Sequence, residues 1–248
     1  MKVSIITATY NSSDTIIDTV RSVESQTYQN IEYIVIDGGS SDKTLKVVET
    51  NSTRVSRILS ESDNGIYDAL NKGIDCATGD IVGFLHSDDI FASETVIEDI
   101  VKEFGTSKTD AVYGDLEYVS KIDLFEVVRL WKSGDYAVEK LKRGWMPPHP
   151  TFYMRRDLYK KYGSFDLSFK IAGDYDSLLR YLWRYKISMA YIPKVLLKMR
   201  VGGASNRSLK NIIQKTKEDI KALKNSGVPV LRAIVIKNLS KIPQFLYK

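Results

Sequence analysis

Ile81-Val82-Gly83-Phe84-Leu85-His86-Ser87-Asp88-Asp89 is an uninterrupted apolar run that ends in a polar and acidic turn. Ser93 follows as a candidate helix cap, and apolar residues then recur at helical spacing from Val96 to Phe104. A buried strand, an acidic turn and an amphipathic helix in this order predict a parallel sheet covered by helices. Such sheets bind ligands at the carboxyl ends of their strands, so the acidic turn is a candidate site.

The N-terminal part of the chain repeats this alternation. Val3 to Ala8 and Tyr33 to Ile36 have the composition of buried strands, and apolar residues between Ile16 and Val23 have helical spacing. A further helix is predicted from Ile66 to Ile74, with the pair Asp63-Asn64 as its cap. We therefore expect an α/β fold with a mostly parallel sheet flanked by helices, and candidate sites after each strand.

The pattern changes in the middle of the chain. Asp110 to Val128 is strand-like without intervening helices, which predicts antiparallel or edge strands. The proline cluster Met146-Pro147-Pro148-His149-Pro150 precludes regular structure and predicts a rigid loop that carries one of the two histidines. Thr151 to Met154 then has strand character again.

The composition is that of a folded protein. Of the 248 residues, 43% are hydrophobic and 27% charged, which fits one α/β domain with an appended tail. The single cysteine and the lack of a charged-then-apolar leader predict a reducing, cytoplasmic setting. No run of about 18 apolar residues occurs, so a membrane-spanning helix is not expected.

The positive charge is concentrated in the tail. Residues 201–248 contain ten lysines and arginines but only two acidic residues, so a nucleic-acid-binding body is disfavoured. We divide the chain into a domain at 1–205 and a basic helical tail at 206–248. Within the tail, Leu209 to Leu223 predict an amphipathic helix packed on the domain. Apolar residues interleaved with Arg and Lys from Val230 to Lys248 favour an anionic surface, such as the inner face of the cell membrane.

Two turns after the first strands are candidate binding sites. Thr7-Ala8-Thr9-Tyr10 combines small, hydroxylic and aromatic residues that suit a nucleotide base, although a helix-capping turn explains them equally. Asp37 ends the second strand and is followed by Gly38 and Gly39, which allow close backbone approach. Its carboxylate is a candidate acceptor for a base or ribose group, and a tight turn between strand and helix is the alternative.

Asp88 and Asp89 are adjacent carboxylates at the end of a core strand, where charge is costly unless it is paired or metal-bound. Magnesium and manganese are often held by one or two carboxylates, with diphosphate oxygens and water completing the shell. The pair therefore predicts a divalent-cation site for Mn²⁺ or Mg²⁺. The alternative is that one aspartate caps the following helix.

His149, Asp174 and Asp176 are the remaining candidates. His149 lies in a loop where ligands are expected, although a lone histidine is commonly structural. Asp174 and Asp176 precede a predicted helix and are spaced so that they cannot share a helix face. One can cap the helix while Asp174, beside the flexible Gly173, projects into a cleft. Both serving the helix N-terminus is the alternative.

The order of six segments carries a resemblance to a known family, although no single segment would establish it. They are ITATYN, VIDGGSSDKT, GIYDALNKGI, ATGDIVGFLHSDD, PPHPTF and AGDYD. In this order they resemble the motifs of the inverting family-two glycosyltransferases, and the likeness covers roughly Met1 to Ser205. The resemblance implies the GT-A fold, a Rossmann-like fold of the nucleotide-diphospho-sugar transferases.

The resemblance also implies roles for individual residues. Asp174 matches the catalytic base, and His149 matches a histidine near the diphosphate or the acceptor. Asp88 and Asp89 match the metal-and-diphosphate motif. The residues that match the nucleotide-binding positions are Thr7, Ala8, Thr9, Tyr10, Asp37 and Asp88. Trp145, beside the proline loop, and Trp131 are candidates for stacking on an acceptor sugar, with core packing as the alternative.

Three positions depart from the pattern of many family members. His86 stands where a further aspartate is frequent, Gly38 stands where a second acidic residue is frequent, and Gly173 stands where a glutamate often precedes the base. The first departure affects the geometry of the metal site. The second affects the recognition of the nucleotide base, and the third affects the environment of the proposed catalytic base, Asp174. We interpret them as variation within an active family.

The implied activity is that of a metal-dependent hexosyltransferase. It would transfer a sugar from a nucleoside diphosphate, by default UDP, to a hydroxyl of a saccharide acceptor, including a lipid-linked one, in surface polysaccharide biosynthesis. A non-catalytic nucleotide-sugar-binding or scaffold protein is the alternative, but it would not need both Asp88 and Asp174. A dinucleotide oxidoreductase is disfavoured because no G-x-G-x-x-G follows the first strand.

Overall fold

The fold is described from a computed structural model that covers residues 1–202, 209–230 and 233–234. Nine strands form one mixed sheet. In chain order they are β1 Val3–Thr9, β2 Ile31–Asp37, β3 Val55–Ser60, β4 Ile81–Phe84, β5 Ile90–Phe91, β6 Ala111–Val119, β7 Val127–Trp131, β8 Tyr153–Arg155 and β9 Met189–Arg200. Their spatial order is β3-β2-β1-β4-β8-β6-β9-β5, and β7 extends the sheet from β6.

Eight helices cover the sheet. They are α1 Ile16–Glu24, α2 Thr44–Asn51, α3 Ile66–Cys76, α4 Val96–Ser107, α5 Val138–Leu141, α6 Arg156–Tyr162, α7 Gly173–Leu179 and α8 Leu209–Ser226. A 3₁₀ turn spans His149–Thr151, and a π-helical turn continues α7 over Arg180–Arg184. These are the helices of the described residues, and they confirm the alternation of strands and helices that the sequence predicts.

Pairing in the sheet is parallel in the first half and mixed in the second. Strands β3, β2, β1 and β4 are parallel neighbours, with Thr9 opposite Asp37 and Ile6 opposite Phe84. The carboxyl ends of β1, β2 and β4 therefore lie at one edge, as expected for a ligand site. Strands β8 and β7 are antiparallel to their neighbours, which confirms the antiparallel segments predicted after Asp110.

Strand β1 is buried on both faces, as strands between two helical layers are. Its odd-numbered residues Val3 and Ile5 belong to the core shared with α1, α2 and α4. The even-numbered Ile6 and Ala8 belong to the core shared with α3, α6 and α7. This alternation follows from the period of two along a strand.

Two predicted helix caps differ from the structure. Helix α3 begins after Gly65, whose φ is +111°, and the side chain of Asp63 accepts the Gly65 backbone N–H instead of capping the helix. Helix α4 begins after Thr95, not after Ser93, and has no side-chain cap.

Helix α8 confirms the helix predicted in the tail, but only its second half packs on the domain as expected. Ala222 and Leu223 are fully buried in the core that includes α7, whereas Ile212 and Ile213 remain exposed. No helix in the described part of the chain is long and apolar enough to cross a membrane. Most of the segment from Val230 to Lys248, for which the sequence predicts a membrane contact, lies outside the described residues.

Candidate functional site

The carboxyl end of β1 is buried, and the residue that follows it is exposed. Thr7 is buried, and its Oγ1 donates to the carbonyl oxygen of Leu85 at 2.7 Å and accepts from the hydroxyl of Tyr33 at 3.2 Å. Ala8 and Thr9 are buried as well. Tyr10 is 63% exposed, so among these residues its ring is the group available for stacking on a ligand.

Asp37 lies at the end of β2 and is fully buried. Its carboxylate accepts hydrogen bonds from the backbone N–H of Gly39 and Ser40 and from the hydroxyls of Ser40 and Ser60. Four donors occupy the lone pairs of a carboxylate. In this structure Asp37 therefore holds the turn, and the surface beside the turn is formed by other groups.

Asp63 is one of those groups, although only a capping role is predicted for it from the sequence. A Cβ atom at Gly38 would lie 2.6 Å from Asp63 Oδ2 and 3.4 Å from the ring of Tyr10. The carboxylate of Asp63 thus occupies the space that a side chain at position 38 would take. An acidic group therefore stands beside Tyr10 even though residue 38 is glycine.

The turn His86-Ser87-Asp88-Asp89 is fixed by side chains from distant elements. Thr15, at the start of α1, donates from Oγ1 to the carbonyl of Ser87 at 2.9 Å, and Thr19 Oγ1 donates to the carbonyl of Asp89 at 2.8 Å. Arg200 Nη1, at the end of β9, donates to the carbonyl of Asp88 at 2.7 Å. The backbone of the acidic turn is therefore held on three sides.

The two aspartates of this turn have different environments. Asp88 is partly exposed, and its carboxylate receives no hydrogen bond from the described part of the chain. Asp89 is fully buried, and neither of its carboxylate oxygens has an ordinary hydrogen bond to a described residue. Burial raises the pKa of Asp89 well above its usual range, the charge of Asp88 raises it further, and Arg200 acts in the opposite direction.

The predicted pair of metal ligands is therefore corrected to one aspartate facing outward and one facing inward. A cation shared with a diphosphate in an open cleft needs an accessible oxygen, and Asp89 offers none. Within residues 1–202, 209–230 and 233–234, no three His, Cys, Asp or Glu side chains are arranged to hold a metal ion. Asp88 alone fits a cation whose other ligands come from a diphosphate and water.

Arg200 is a functional candidate that the sequence analysis missed. Its side chain is buried, and besides Asp88 it binds Asp18 of α1 through Nη2 at 2.5 Å. It is also the cation that lowers the pKa of Asp89. No local signal marks this arginine, because its partners lie more than a hundred residues earlier in the chain.

His86, in the acidic turn, and His149, in the 3₁₀ turn, are both close enough to Asp174 for its charge to affect their pKa. Burial lowers the pKa of His86, while the charges of Asp88 and Asp174 act to raise it. Burial lowers the pKa of His149 to about 4, opposed by Asp174 and reinforced by His86. His149 stacks on Phe84 with ring centroids 5.3 Å apart. Both imidazoles are therefore neutral at neutral pH, and both feel the charge of Asp174.

Asp174 is the second residue of α7 and is partly exposed. Its Oδ1 accepts the backbone N–H of Tyr175 at 2.8 Å and lies 3.4 Å from the hydroxyl of Tyr67. Asp176 is buried on the other side and lies 3.9 Å from Arg180 Nε. The two carboxylates thus point to different surroundings, as their spacing predicts.

Gly173 leaves room for the ring of Tyr67. A Cβ atom at this position would lie 2.9 Å from Tyr67 Cε2. Burial raises the pKa of Tyr67, and the charge of Asp174 raises it further, so the phenol stays protonated. Its proton goes to the carbonyl oxygen of Ile171 at 2.7 Å, and its oxygen lies 3.4 Å from Asp174 Oδ1. A glutamate at 173 could not coexist with this position of the ring.

Trp145 packs within the protein. Its Nε1 donates to the carbonyl of Ser133 at 3.2 Å, and its ring contacts Tyr113 and Tyr136 with centroids 5.9 and 6.1 Å apart. The side chain is half-buried. Core packing, the alternative expected for this residue, describes these contacts. Trp131 stacks on Tyr118 of β6, with ring centroids 6.4 Å apart.

Asp88, His86, His149 and Asp174 are thus brought together at the carboxyl end of β4. Residues 4–172 match the family model described as glycosyl transferase family 2. The chain belongs to glycosyl transferase family 2. The match ends two residues before Asp174, so the family assignment rests on the strands and turns that precede α7.

Relatives in sequence are described as glycosyltransferases. The chain is 34% identical over 182 residues to the uncharacterized glycosyltransferase Rv1514c of Mycobacterium tuberculosis, which covers 72% of this chain and 68% of the relative. It is 26% identical over 208 residues to the PGL/p-HBAD biosynthesis glycosyltransferase of Mycobacterium bovis, which covers 82% of this chain and 78% of the relative. This family-2 chain is therefore a glycosyltransferase.

Solved structures of low sequence identity share its GT-A fold. The structure of S. aureus TarS 1-349 in complex with UDP has a TM-score of 0.68 at 19% identity, over 99% of this chain and 71% of TarS 1-349. The mannosyltransferase PcManGT from Pyrobaculum calidifontis, in complex with GDP-Man and Mn²⁺, has a TM-score of 0.67 at 18% identity, over 99% of this chain and 72% of that one. The expected GT-A fold is thereby confirmed.

Proposed function

We propose that this family-2 glycosyltransferase transfers a hexose from a UDP-sugar to a hydroxyl of a saccharide acceptor, with inversion at the anomeric carbon. The observation that carries the proposal is that the charges of both Asp88 and Asp174 act on His86, which lies in the turn after β4. One carboxylate follows β4 and the other begins α7, so two separate parts of the chain supply acidic groups to one place. The UDP complex of TarS supports the choice of nucleotide.

Asp174 is proposed as the general base. A carboxylate can take the proton of an acceptor hydroxyl while that oxygen attacks the anomeric carbon in line with the leaving diphosphate. Its Oδ1 is oriented by the N–H of Tyr175 and faces the hydroxyl of Tyr67. The second oxygen receives no hydrogen bond from the described part of the chain, so it can accept a proton from a substrate.

Asp88 is proposed to hold a divalent cation, Mn²⁺ or Mg²⁺. When bound, such a cation neutralises the charge that develops on the leaving diphosphate. The protein side of the site is the partly exposed carboxylate of Asp88, whose backbone carbonyl is held by Arg200. The Mn²⁺ complex of PcManGT supports the choice of a cation. Asp89, which faces inward, is proposed to support the turn through Arg200 rather than to bind the metal.

The nucleoside is proposed to bind over the turns after β1 and β2. Tyr10 offers its exposed ring for stacking on the base, and Asp63 offers an acidic acceptor beside it. The buried Thr7 and Asp37 position these two turns through their hydrogen bonds. His149, which is neutral, is proposed to contact the diphosphate or the acceptor as a hydrogen-bonding group.

The acceptor is proposed to be a saccharide, including a lipid-linked saccharide. The relative named for PGL/p-HBAD biosynthesis supports this choice. Trp145 packs on Tyr113 and Tyr136 but is only half-buried, and we propose that the exposed part of its ring supports the acceptor sugar. A nucleotide-sugar-binding protein without turnover is the alternative, and it predicts binding of the donor with no release of UDP.

The test is a screen of UDP-sugars with Mn²⁺ or Mg²⁺, in which the release of UDP and the transfer to saccharide acceptors are measured. The expected result is cation-dependent release of UDP that is strongly reduced in Asp88→Asn, and a product whose anomeric configuration is opposite to that of the donor. The matched control is Asp75→Asn, an exposed aspartate on α3. Activity that persists without a divalent cation, or that is equal in both variants, contradicts the proposal.

A further inference from the structure

Helix α8 delivers a buried carboxylate to the segment that leads into Asp174. Glu218 of α8 is only 4% exposed. Its Oε2 accepts the backbone N–H groups of Ile171 and Ala172, each at 2.8 Å, and its Oε1 accepts that of Lys170 at 3.1 Å. Three successive N–H groups therefore converge on one carboxylate, an arrangement that favours a negative charge.

This carboxylate binds the backbone just before α7. Ala172 precedes the helix, and its side chain cannot accept a hydrogen bond from the first turn. In a capping box, the N–H of this preceding residue is accepted by a glutamate of the helix's own first turn. Here Glu218 accepts the N–H of Ala172 from another helix, and its negative charge is favourable near the N-terminus of α7.

Glu218 is held in its ionised form. Burial acts to raise its pKa, but the hydrogen bonds from Gln214 and from the backbone of Ala172, Ile171 and Lys170 outweigh burial and lower the pKa. Gln214 Nε2 donates to Oε1 at 2.8 Å from the preceding turn of the same helix. The charged carboxylate is therefore fully hydrogen-bonded, which a buried charge requires.

The segment is also held from the opposite side. The hydroxyl of Tyr67 donates to the carbonyl oxygen of Ile171 at 2.7 Å and lies 3.4 Å from Asp174 Oδ1. Glu218 binds the N–H of Ile171 while Tyr67 binds its C=O, so this peptide segment has contacts on both faces. Asp174 follows Ile171 by three residues, so the contacts of Ile171 with Glu218 and Tyr67 fix the position from which Asp174 projects.

We propose that Glu218 is a positioning residue for Asp174, and that α8 belongs to the catalytic domain although it follows residue 205. Its catalytic consequence rests on the proposed function of Asp174. The geometry of an attacking group tolerates little displacement, and a shift of about 1 Å can cost roughly 100-fold in rate. Loss of the Glu218 carboxylate should therefore lower kcat while leaving the nucleotide site, which lies on other turns, intact.

The test compares Glu218→Ala, Glu218→Gln and the control Lys217→Ala, an exposed neighbour on the same helix. Three quantities are measured well below the lowest melting temperature among the variants. The first is hydrogen exchange of the amides of Lys170, Ile171 and Ala172, and the second is steady-state release of UDP from a UDP-sugar. UDP affinity is measured by calorimetry with Mn²⁺. We expect Glu218→Ala to expose the three amides and to lower kcat by about 10- to 100-fold at unchanged UDP affinity. Glu218→Gln keeps one acceptor oxygen and should lose less, and Lys217→Ala should resemble the wild type.

Three results overturn the inference. The first is amide protection that is retained in Glu218→Ala, and the second is lost protection with a wild-type kcat. The third is a fall in kcat that is matched by an equal loss of UDP affinity, because this indicates general loss of structure. If the wild type releases no UDP from any donor, the proposed function fails. The position of Glu218 is then judged by amide exchange alone, where retained protection overturns it and lost protection supports it.

Discussion

Arg200 Nη1 donates a 2.7 Å hydrogen bond to the carbonyl oxygen of Asp88, although the two residues are 112 positions apart. The same guanidinium binds Asp18 of α1, and the backbone and charge of Arg200 oppose the rise in the pKa of the buried Asp89. One arginine thus joins β9, α1 and the acidic turn after β4. The turn that presents Asp88 is therefore shaped by tertiary contacts, and its geometry should fail when this arginine is removed.

Arg200→Ala should destabilise the protein and weaken nucleotide binding. The substitution should cost about 1 to 3 kcal/mol, because the carbonyl oxygen of Asp88 and the partly exposed carboxylate of Asp18 lose their hydrogen bonds. Urea denaturation measures the free energy of unfolding, and calorimetry measures the affinity for UDP with Mn²⁺. Arg21→Ala removes an exposed arginine of α1 and should leave both unchanged. Equal stability of the two variants contradicts the role of Arg200.

Glu32, which lies far from the candidate site, should make the free energy of unfolding depend on pH. Burial acts to raise the pKa of Glu32, but hydrogen bonds from Lys2, Ser4 and Thr78 outweigh it and lower the pKa to about 2. A group whose pKa is lower in the folded state stabilises the fold above its unfolded pKa, which is 4.5 here. The contribution, about 2 to 3 kcal/mol, should be complete above pH 4.5 and should disappear as the pH falls towards 2.

The measurement is the free energy of unfolding of wild type and Glu32→Gln between pH 7 and pH 3. The difference between them should be largest near neutral pH and should shrink on acidification. Glu49→Gln, an exposed glutamate of α2, serves as the control and should show no such trend. A difference that stays constant over this range argues against an ionised, hydrogen-bonded Glu32.

Tyr67→Phe should lower turnover with little effect on stability. The substitution removes the hydroxyl that binds the carbonyl of Ile171 and faces Asp174 Oδ1, but it keeps the ring against Gly173. We expect kcat to fall by about 10-fold or more, since Asp174 loses an orienting contact. Tyr181→Phe removes a similar bond, from its hydroxyl to the carbonyl of Gly163, and should not change kcat. Equal kinetics of the two variants would exclude this role of Tyr67.

Gly38→Asp should weaken UDP binding even though an acidic residue is frequent there in the family. Its Cβ would lie 2.6 Å from Asp63 Oδ2, and a second carboxylate would stand beside the first. Combining it with Asp63→Ala frees this space and should restore much of the affinity. Gly105→Asp, at a helix position with open space around the Cβ, is the control. If Asp63→Ala brings no recovery, Asp63 does not occupy the place of residue 38.

Much of the fold could be predicted because its signals are local. Strands β1, β2 and β4 are rich in apolar and β-branched residues, and α1, α3 and α8 have helical spacing of apolar residues. The predicted ends of helices are less accurate, because the start of α3 depends on the backbone conformation of Gly65 rather than on the capping pair before it. Sequence periodicity reports which face is buried but not which turn geometry precedes a helix.

The candidate site could be predicted only in part. Asp88 and Asp174 are marked by their motifs, and the structure brings both to His86. The inward direction of Asp89 and the four donors around Asp37 depend on neighbours that no local pattern names. Arg200 and Glu218 act over long sequence separations, and each looks like an ordinary charged residue in its own segment. Their roles follow from packing, which a single sequence does not state.

The central claim is that Asp174 is the base of a sugar transfer whose nucleotide site lies elsewhere. The most direct test is the turnover of a UDP-sugar by Asp174→Asn and by the wild type, with UDP affinity measured on the same samples. The account predicts that kcat falls by about 100- to 10,000-fold in the variant, while UDP binds as in the wild type. Unchanged turnover in Asp174→Asn would contradict it.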